Sequence, residues 1–166
     1  MTTKYLFLDI DGVLNHEDWW IYLHNNHITQ KYPRDWFDPG CIKRVNEILN
    51  LTEAKLVLAS SWRMDSDIKE VIKNVGIPYD FEITPRIESR HRGQEVELFL
   101  EDHPCDDYVI IDDETDILEN QKDHFFQAAA NYGCTLRLLT ENKGTGLTEE
   151  LKNKIINYLN RNDTRV

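Results

Sequence analysis

Asp9 and Asp11 stand two residues apart, at the end of the apolar string Tyr5 to Leu8 and directly before Gly12. Two carboxylates delivered to one strand mouth repel each other unless protons or a cation neutralise them. A hard divalent cation such as Mg²⁺ answers that need, because it takes oxygen ligands and keeps positions open for water and substrate phosphates. One aspartate can then coordinate the cation while its other oxygen serves as a nucleophile, which is the chemistry of phosphoryl transfer. The same string also reads as a strand followed by a solvated Asp-Gly turn.

The elements that must position these groups are buried strands. Tyr5 to Leu8 run on without polar alternation, the pattern of a parallel strand covered on both faces. In KLVLASSWR, residues 55–63, a second such strand from Lys55 to Ala59 leads into Ser60 and Ser61, whose hydroxyl and backbone N–H groups suit phosphate binding. In YVIIDDE, residues 108–114, another ends in Asp112 and Asp113, further oxygen ligands. The segment SRHRGQEVELFL brings Arg90 and Arg92 to the start of a helix, where a guanidinium can offset charge on a transferring phosphoryl group. Taken singly, such serines are turn or capping residues and such arginines belong to solvated faces.

In this order the strings resemble the four motifs of the haloacid dehalogenase superfamily of aspartate-nucleophile phosphohydrolases. Asp9 and Asp11 match the first motif, Ser60 the second, Arg92 the third with Arg90 competing for that place, and Asp112 with Asp113 the fourth. The words DIDGVLN, SSWR, RGxE and GLT are similar to those of stand-alone phosphatase domains of nucleic-acid repair proteins, and the phosphatase half of polynucleotide kinase-phosphatases also looks alike. Between Ile117 and Thr140 no family word matches. The resemblance implies a single doubly wound parallel α/β sheet, Rossmann-like, of strand order 5-4-1-2-3, with the ligand site where the order reverses beside the first strand. It implies that Asp9 forms an aspartyl-phosphate and that Asp11 acts as general acid and base. Mg²⁺ would be held by Asp9, the Asp11 backbone carbonyl and Asp113. Ser60, Ser61 and Arg92 would bind the phosphate, and Asp112 would orient neighbouring groups rather than touch the metal.

The coarse pattern alternates strands and helices over one domain, residues 1–166. Asp38 and Pro39 read as the N-cap and first position of a helix carrying Ile42, Val45, Ile48 and Leu49. Ile68, Val71, Ile72 and Val75 form another stripe, Phe81 to Thr84 a short third strand, Gly93 to Glu101 a helix, and Cys134 to Leu139 the fifth strand. Thr148 caps a last helix with Leu151, Ile155 and Leu159 inward. Residues 16–37 form a short flap in place of a full cap domain. It is rich in aromatic residues, of which Trp20 and Tyr22 are candidates to stack a nucleobase at about 1–3 kcal/mol per base. The alternative is that the aromatics bury the flap against the sheet.

Composition bounds the rest. The 166 residues carry a net charge of −11, which disfavours an extended basic track for nucleic acid while leaving room for recognition of one phosphorylated end. The acids of Glu47 to Glu53 and Glu95 to Glu101 are expected on solvated helix faces. No stretch has the length of a membrane span, and no secretory leader is recognisable, so a cytoplasmic protein with no membrane partner is expected. Three cysteines without a CxxC spacing favour reduced thiols, and the scattered histidines suggest no zinc site. Three readings follow. One is a Mg²⁺-dependent phosphatase for a nucleic-acid 3′ end or a nucleotide. Another is a phosphatase for a different small metabolite. The third, a non-catalytic phosphate-binding module, has no use for both Asp9 and Asp11.

Overall fold

The computed structural model describes residues 2–78, 80–128 and 146–162. Five strands, β1 (Lys4–Leu8), β2 (Lys55–Leu58), β3 (Glu82–Ile83), β4 (Asp107–Asp112) and β5 (Phe125–Gln127), make one parallel sheet of order β3-β2-β1-β4-β5. This is the expected order, read from the other edge. The helices are α1 (Glu17–Asn25), α2 (Pro39–Thr52), α3 (Ile68–Asn74), α4 (Arg92–Asp102) and α5 (Glu149–Asn160).

The central strand explains itself. Tyr5 and Phe7 point to one face, Leu6 and Leu8 to the other, and all four are buried because side chains alternate along a strand. Leu6 and Leu8 join Val45 and Ile48 of α2, Ile72 of α3 and Ile155 and Leu159 of α5 in the larger core. Tyr5 and Phe7 meet Val96 and Phe99 of α4. The Phe99 ring stands edge-on to both Tyr5 and Phe7, at 5.4 Å from each. Caps fall where the sequence places them. Asp38 accepts the Gly40 N–H at 2.7 Å, and the Thr148 hydroxyl accepts that of Leu151 at 3.1 Å.

Several boundaries differ from expectation. β3 spans only Glu82–Ile83, β2 ends one residue early at Leu58, and α4 begins at Arg92. The strand beside β4 is Phe125–Gln127, while Cys134 to Leu139 lie outside the described residues. Three residues at a sheet edge are too few to display a period, so β5 leaves no sequence signal. No helix among the described residues is long and apolar enough to cross a membrane.

Because Phe99 is 3% exposed and closes the smaller core against two strands, Phe99→Ala should lower unfolding free energy by about 3–5 kcal/mol in chemical denaturation. Leu98→Ala, one position away but 39% exposed, should change it by less than about 0.5 kcal/mol.

Candidate active site

β1 and β4 are hydrogen-bonded neighbours that end side by side, and this juxtaposition assembles the site. Asp9 follows β1, with its N–H bonded to the Ile111 carbonyl of β4 at 3.0 Å, while Asp112 ends β4 and Asp113 follows it. One ligand oxygen from each of the three carboxylates lies within 4.8 Å of the others, and all three residues are buried. The turn after Asp9 makes the approach possible. Gly12 has φ +73°, and a Cβ there would fall 2.4 Å from the Asp113 carboxyl carbon. Only glycine lets the turn lie against Asp113.

Arg92 provides the main counter-charge. Its Nε donates to Asp112 at 2.7 Å, its Nη1 to Glu95 at 3.2 Å and its Nη2 to Asp9 at 3.4 Å. Glu95 is also ion-paired with Arg63, whose Nη1 reaches Thr84 at 3.2 Å. The expectation that Glu95 faces solvent is wrong: it is 1% exposed. Its place one turn after Arg92 puts it under the guanidinium rather than on the outer face. If all are ionised, four buried carboxylates, Asp9, Glu95, Asp112 and Asp113, face two guanidinium groups, an excess of two negative charges.

Burial, together with the charge of Asp112, drives Asp9 well above the usual carboxylate range, against the pull of Arg92 and a hydrogen bond with Ser60. Asp112 is raised as well, by burial, although Arg92 and the Glu114 N–H hydrogen-bond its two oxygens. Burial lowers the affinity of Arg92 for its proton, but Asp9 and Asp112 more than restore it. The chemistry of this donor set fits a divalent oxygen-seeking cation: hard ligands only, closely spaced and short of positive charge.

Asp11 is held differently. The Trp62 indole N–H lies 3.0 Å from both of its carboxylate oxygens, and Asn15 Nδ2 donates to one of them at 2.7 Å. Trp62 in turn packs on Trp36 and Phe37. Neither Trp62 nor Asn15 was singled out from the sequence, although both stand inside the words SSWR and DIDGVLN. Asp9, Asp11, Ser61, Arg92 and Asp113 border one cavity of about 340 Å³. Ser60 is fully buried beneath it, with its oxygen bonded by the Trp62 N–H at 3.4 Å. Of the two candidate third-motif arginines, Arg92 reaches Asp9, whereas Arg90 is exposed and borders the cavity. Trp20 and Tyr22 do not border it; Tyr22 is 50% exposed and stacks on Trp19 at 5.3 Å.

Distant segments hold the loop ends in place. A Cβ on Gly146 would meet the Val13 carbonyl at 2.5 Å and the His16 ring at 2.6 Å, so the GLT word lies directly on the loop that follows Asp11. There His16 Nε2 and Asp38 hydrogen-bond at 2.9 Å beside Cys41, whose thiol is pushed up to about 12 by burial and by Asp38. This cluster clasps the start of α2 to the loop.

Gly93 docks α4 similarly. Its N–H donates to the Asp116 carbonyl at 2.9 Å and its carbonyl accepts from Gln121 at 2.8 Å, while an added Cβ would lie 2.5 Å from the Leu118 nitrogen. Gly93→Ala gains helix propensity worth about 1 kcal/mol, but the collision with backbone costs about 1–3 kcal/mol. The variant should therefore melt at a lower temperature and release Arg92 from its carboxylates, measurable by thermal denaturation.

Comparison with known proteins agrees with this geometry. No curated protein matches the chain. Residues 5–139 match the family described as the HAD domain in Swiss Army Knife RNA repair proteins. The match spans most of the chain and includes the carboxylate cluster, the Trp62 turn and Arg92, so this protein belongs to that family of haloacid dehalogenase domains.

Proposed function

We propose that this domain is a Mg²⁺-dependent phosphatase that acts through an aspartyl-phosphate on Asp9, with a nucleic-acid 3′ end or a nucleotide as substrate. Family membership makes it a phosphatase-type hydrolase domain. The observation that carries the finer reading is the pairing of two aspartates in contrasting surroundings: Asp9 buried against Arg92 and the acidic cluster, and Asp11 at the cavity with its carboxylate held by Trp62 and Asn15. One such group suits attack and the other proton transfer.

In the first half-reaction an Asp9 oxygen bonds to phosphorus in line as the bond to the leaving oxygen breaks, and Asp11 gives that oxygen its proton. In the second, Asp11 takes a proton from water, whose oxygen bonds to phosphorus as the Asp9–phosphate bond breaks. Ser61 and Arg92, which border the cavity, orient the phosphoryl group, whereas Ser60, expected to bind phosphate, is buried beneath the cavity and acts through its hydrogen bond with Asp9. Asp9, Asp113 and the Asp11 backbone carbonyl would hold Mg²⁺, with Asp112 orienting Arg92. The cation, when bound, supplies charge that offsets the phosphoryl oxygens. The occurrence of the family in RNA repair proteins favours a nucleic-acid substrate. The net charge of −11 favours a grip on one end over an extended track, and equally a small phosphorylated metabolite. Residues 16–37 would act as the flap beside the site, and Trp20 and Tyr22, which do not border the cavity, would stack a base only on the part of the substrate that lies outside it.

Phosphate release with Mg²⁺ from 3′-phosphorylated oligonucleotides, nucleoside monophosphates and sugar phosphates tests the reading directly. Asp9→Asn should abolish it with the fold retained, and wild-type turnover in that variant would rule the nucleophile out. Asp11→Asn should slow an alkyl phosphate by about 10²–10⁴-fold and nitrophenyl phosphate, whose leaving group needs no proton, by much less. Trp62→Phe keeps the ring against Trp36 and Phe37 but loses the indole donor. It should show the same leaving-group bias at about tenfold, with an unchanged melting temperature.

EDTA should silence turnover and Mg²⁺ restore it, while Ca²⁺, larger and loosely coordinated, should support little. In a Mg²⁺ titration Asp113→Ala should weaken binding more than Asp112→Ala, because both Asp112 oxygens already accept hydrogen bonds from the protein.

A further inference from the structure

Two arginines at the active-site cavity have no part in the mechanism above. Arg86 and Arg90 border the same cavity as Asp9, Asp11 and Arg92, and both are exposed. Their neighbours Arg63 and Arg92 are committed to Glu95, Asp9 and Asp112. Among the described residues, by contrast, neither Arg86 nor Arg90 forms an ion pair within 4.0 Å. The side-chain contact of Arg86 is with the Met64 sulfur, at 3.4 Å. Arg90 closes a turn through its backbone N–H to the Ile87 carbonyl at 3.2 Å, with φ +54°. That left-handed conformation is uncommon outside glycine, asparagine and aspartate, and it sets the direction in which Arg90 leaves the loop.

We infer that Arg86 and Arg90 form a subsite for a second phosphate, so that the substrate carries a phosphodiester next to the phosphomonoester being cleaved. This rests on the phosphatase reading above and narrows its substrate to the 3′-phosphorylated end of a strand. The planar guanidinium fork matches phosphate oxygens with two donors. Five carboxylates and four guanidinium groups border the cavity, and of those four only Arg63 and Arg92 are paired with carboxylates among the described residues, which leaves Arg86 and Arg90 as its uncommitted cations. A phosphomonoester alone leaves them without a partner, since Arg92 already stands beside Asp9. The cavity, about 340 Å³, lies at the lower end of the range for small-molecule sites. It admits a strand terminus and leaves the remaining nucleotides outside, as the acidic surface requires.

Equilibrium binding to the Asp9→Asn protein with Mg²⁺, read by fluorescence anisotropy, separates the subsite from turnover. The probes are a 3′-phosphorylated dinucleotide, in ribose and deoxyribose forms, the same molecules with a neutral methylphosphonate linkage, and a nucleoside 3′-monophosphate. The anionic linkage should bind about tenfold more tightly than the neutral one. Arg86→Gln and Arg90→Gln should each reduce that advantage, the pair should erase it, and affinity for the monophosphate should move by less than about twofold. Each substitution should also flatten the salt dependence, removing about 0.7 from the log–log slope. The sugar form with the larger ratio identifies the strand. Equal weakening of all probes, or a ratio of one in both sugar forms, would overturn the subsite. Charge-dependent binding without turnover of nitrophenyl phosphate by the unmodified enzyme would instead sink the phosphatase mechanism and leave the subsite standing.

Discussion

The structure depends on keeping like charges together out of water. Asp9, Asp112 and Asp113 meet at the ends of two adjacent parallel strands, all buried, with Glu95 close behind. Carboxylates in such a place are tolerated only when counter-charges and hydrogen bonds replace the lost hydration. One guanidinium, that of Arg92, bridges Asp9, Asp112 and Glu95. Residues separated by 83 positions in the chain are thereby tied into one charged unit.

That bridge makes the rest of the architecture intelligible. Arg92 must start a helix whose axis is fixed, so Gly93 lies against Leu118 and Gln121 with no room for a side chain. Asp113 must approach the turn after β1, so Gly12 lies beneath it. The loop between Asp11 and His16 must not drift, so Gly146 and the His16–Asp38 pair hold it from the C-terminal side. Three glycines mark three close approaches of backbone to the site, each from a different part of the chain.

The two aspartates of the first motif stand in contrasting surroundings. Asp9 is drawn into a desolvated, crowded cluster, whereas Asp11 is gripped by neutral donors, an indole and an amide, at the cavity. Trp62 links that grip to Trp36 and Phe37 in the segment between the first motif and α2. Movement of those aromatics would be felt at Asp11 through the indole.

The amino-acid sequence alone determined the features written in neighbouring residues. These are the buried strand before Asp9, the serines after β2, the acidic pair at the end of β4, the Asp38–Pro39 start of α2 and the Thr148 cap of α5. Burial on both faces and capping are local rules, so a short window suffices to read them. Tertiary structure decided what depends on strand order. Glu95 reads as one acid on a charged helix, yet it is buried because Arg63, 32 residues earlier, is folded back onto it. Trp62 reads as an apolar residue in a turn, yet its N–H finds Asp11 across 51 residues. Arg90 and Arg92 are indistinguishable as neighbours in sequence. One turns inward and the other remains at the cavity rim because α4 begins between them, so the helix carries Arg92 onto the strand ends while the left-handed turn directs Arg90 elsewhere.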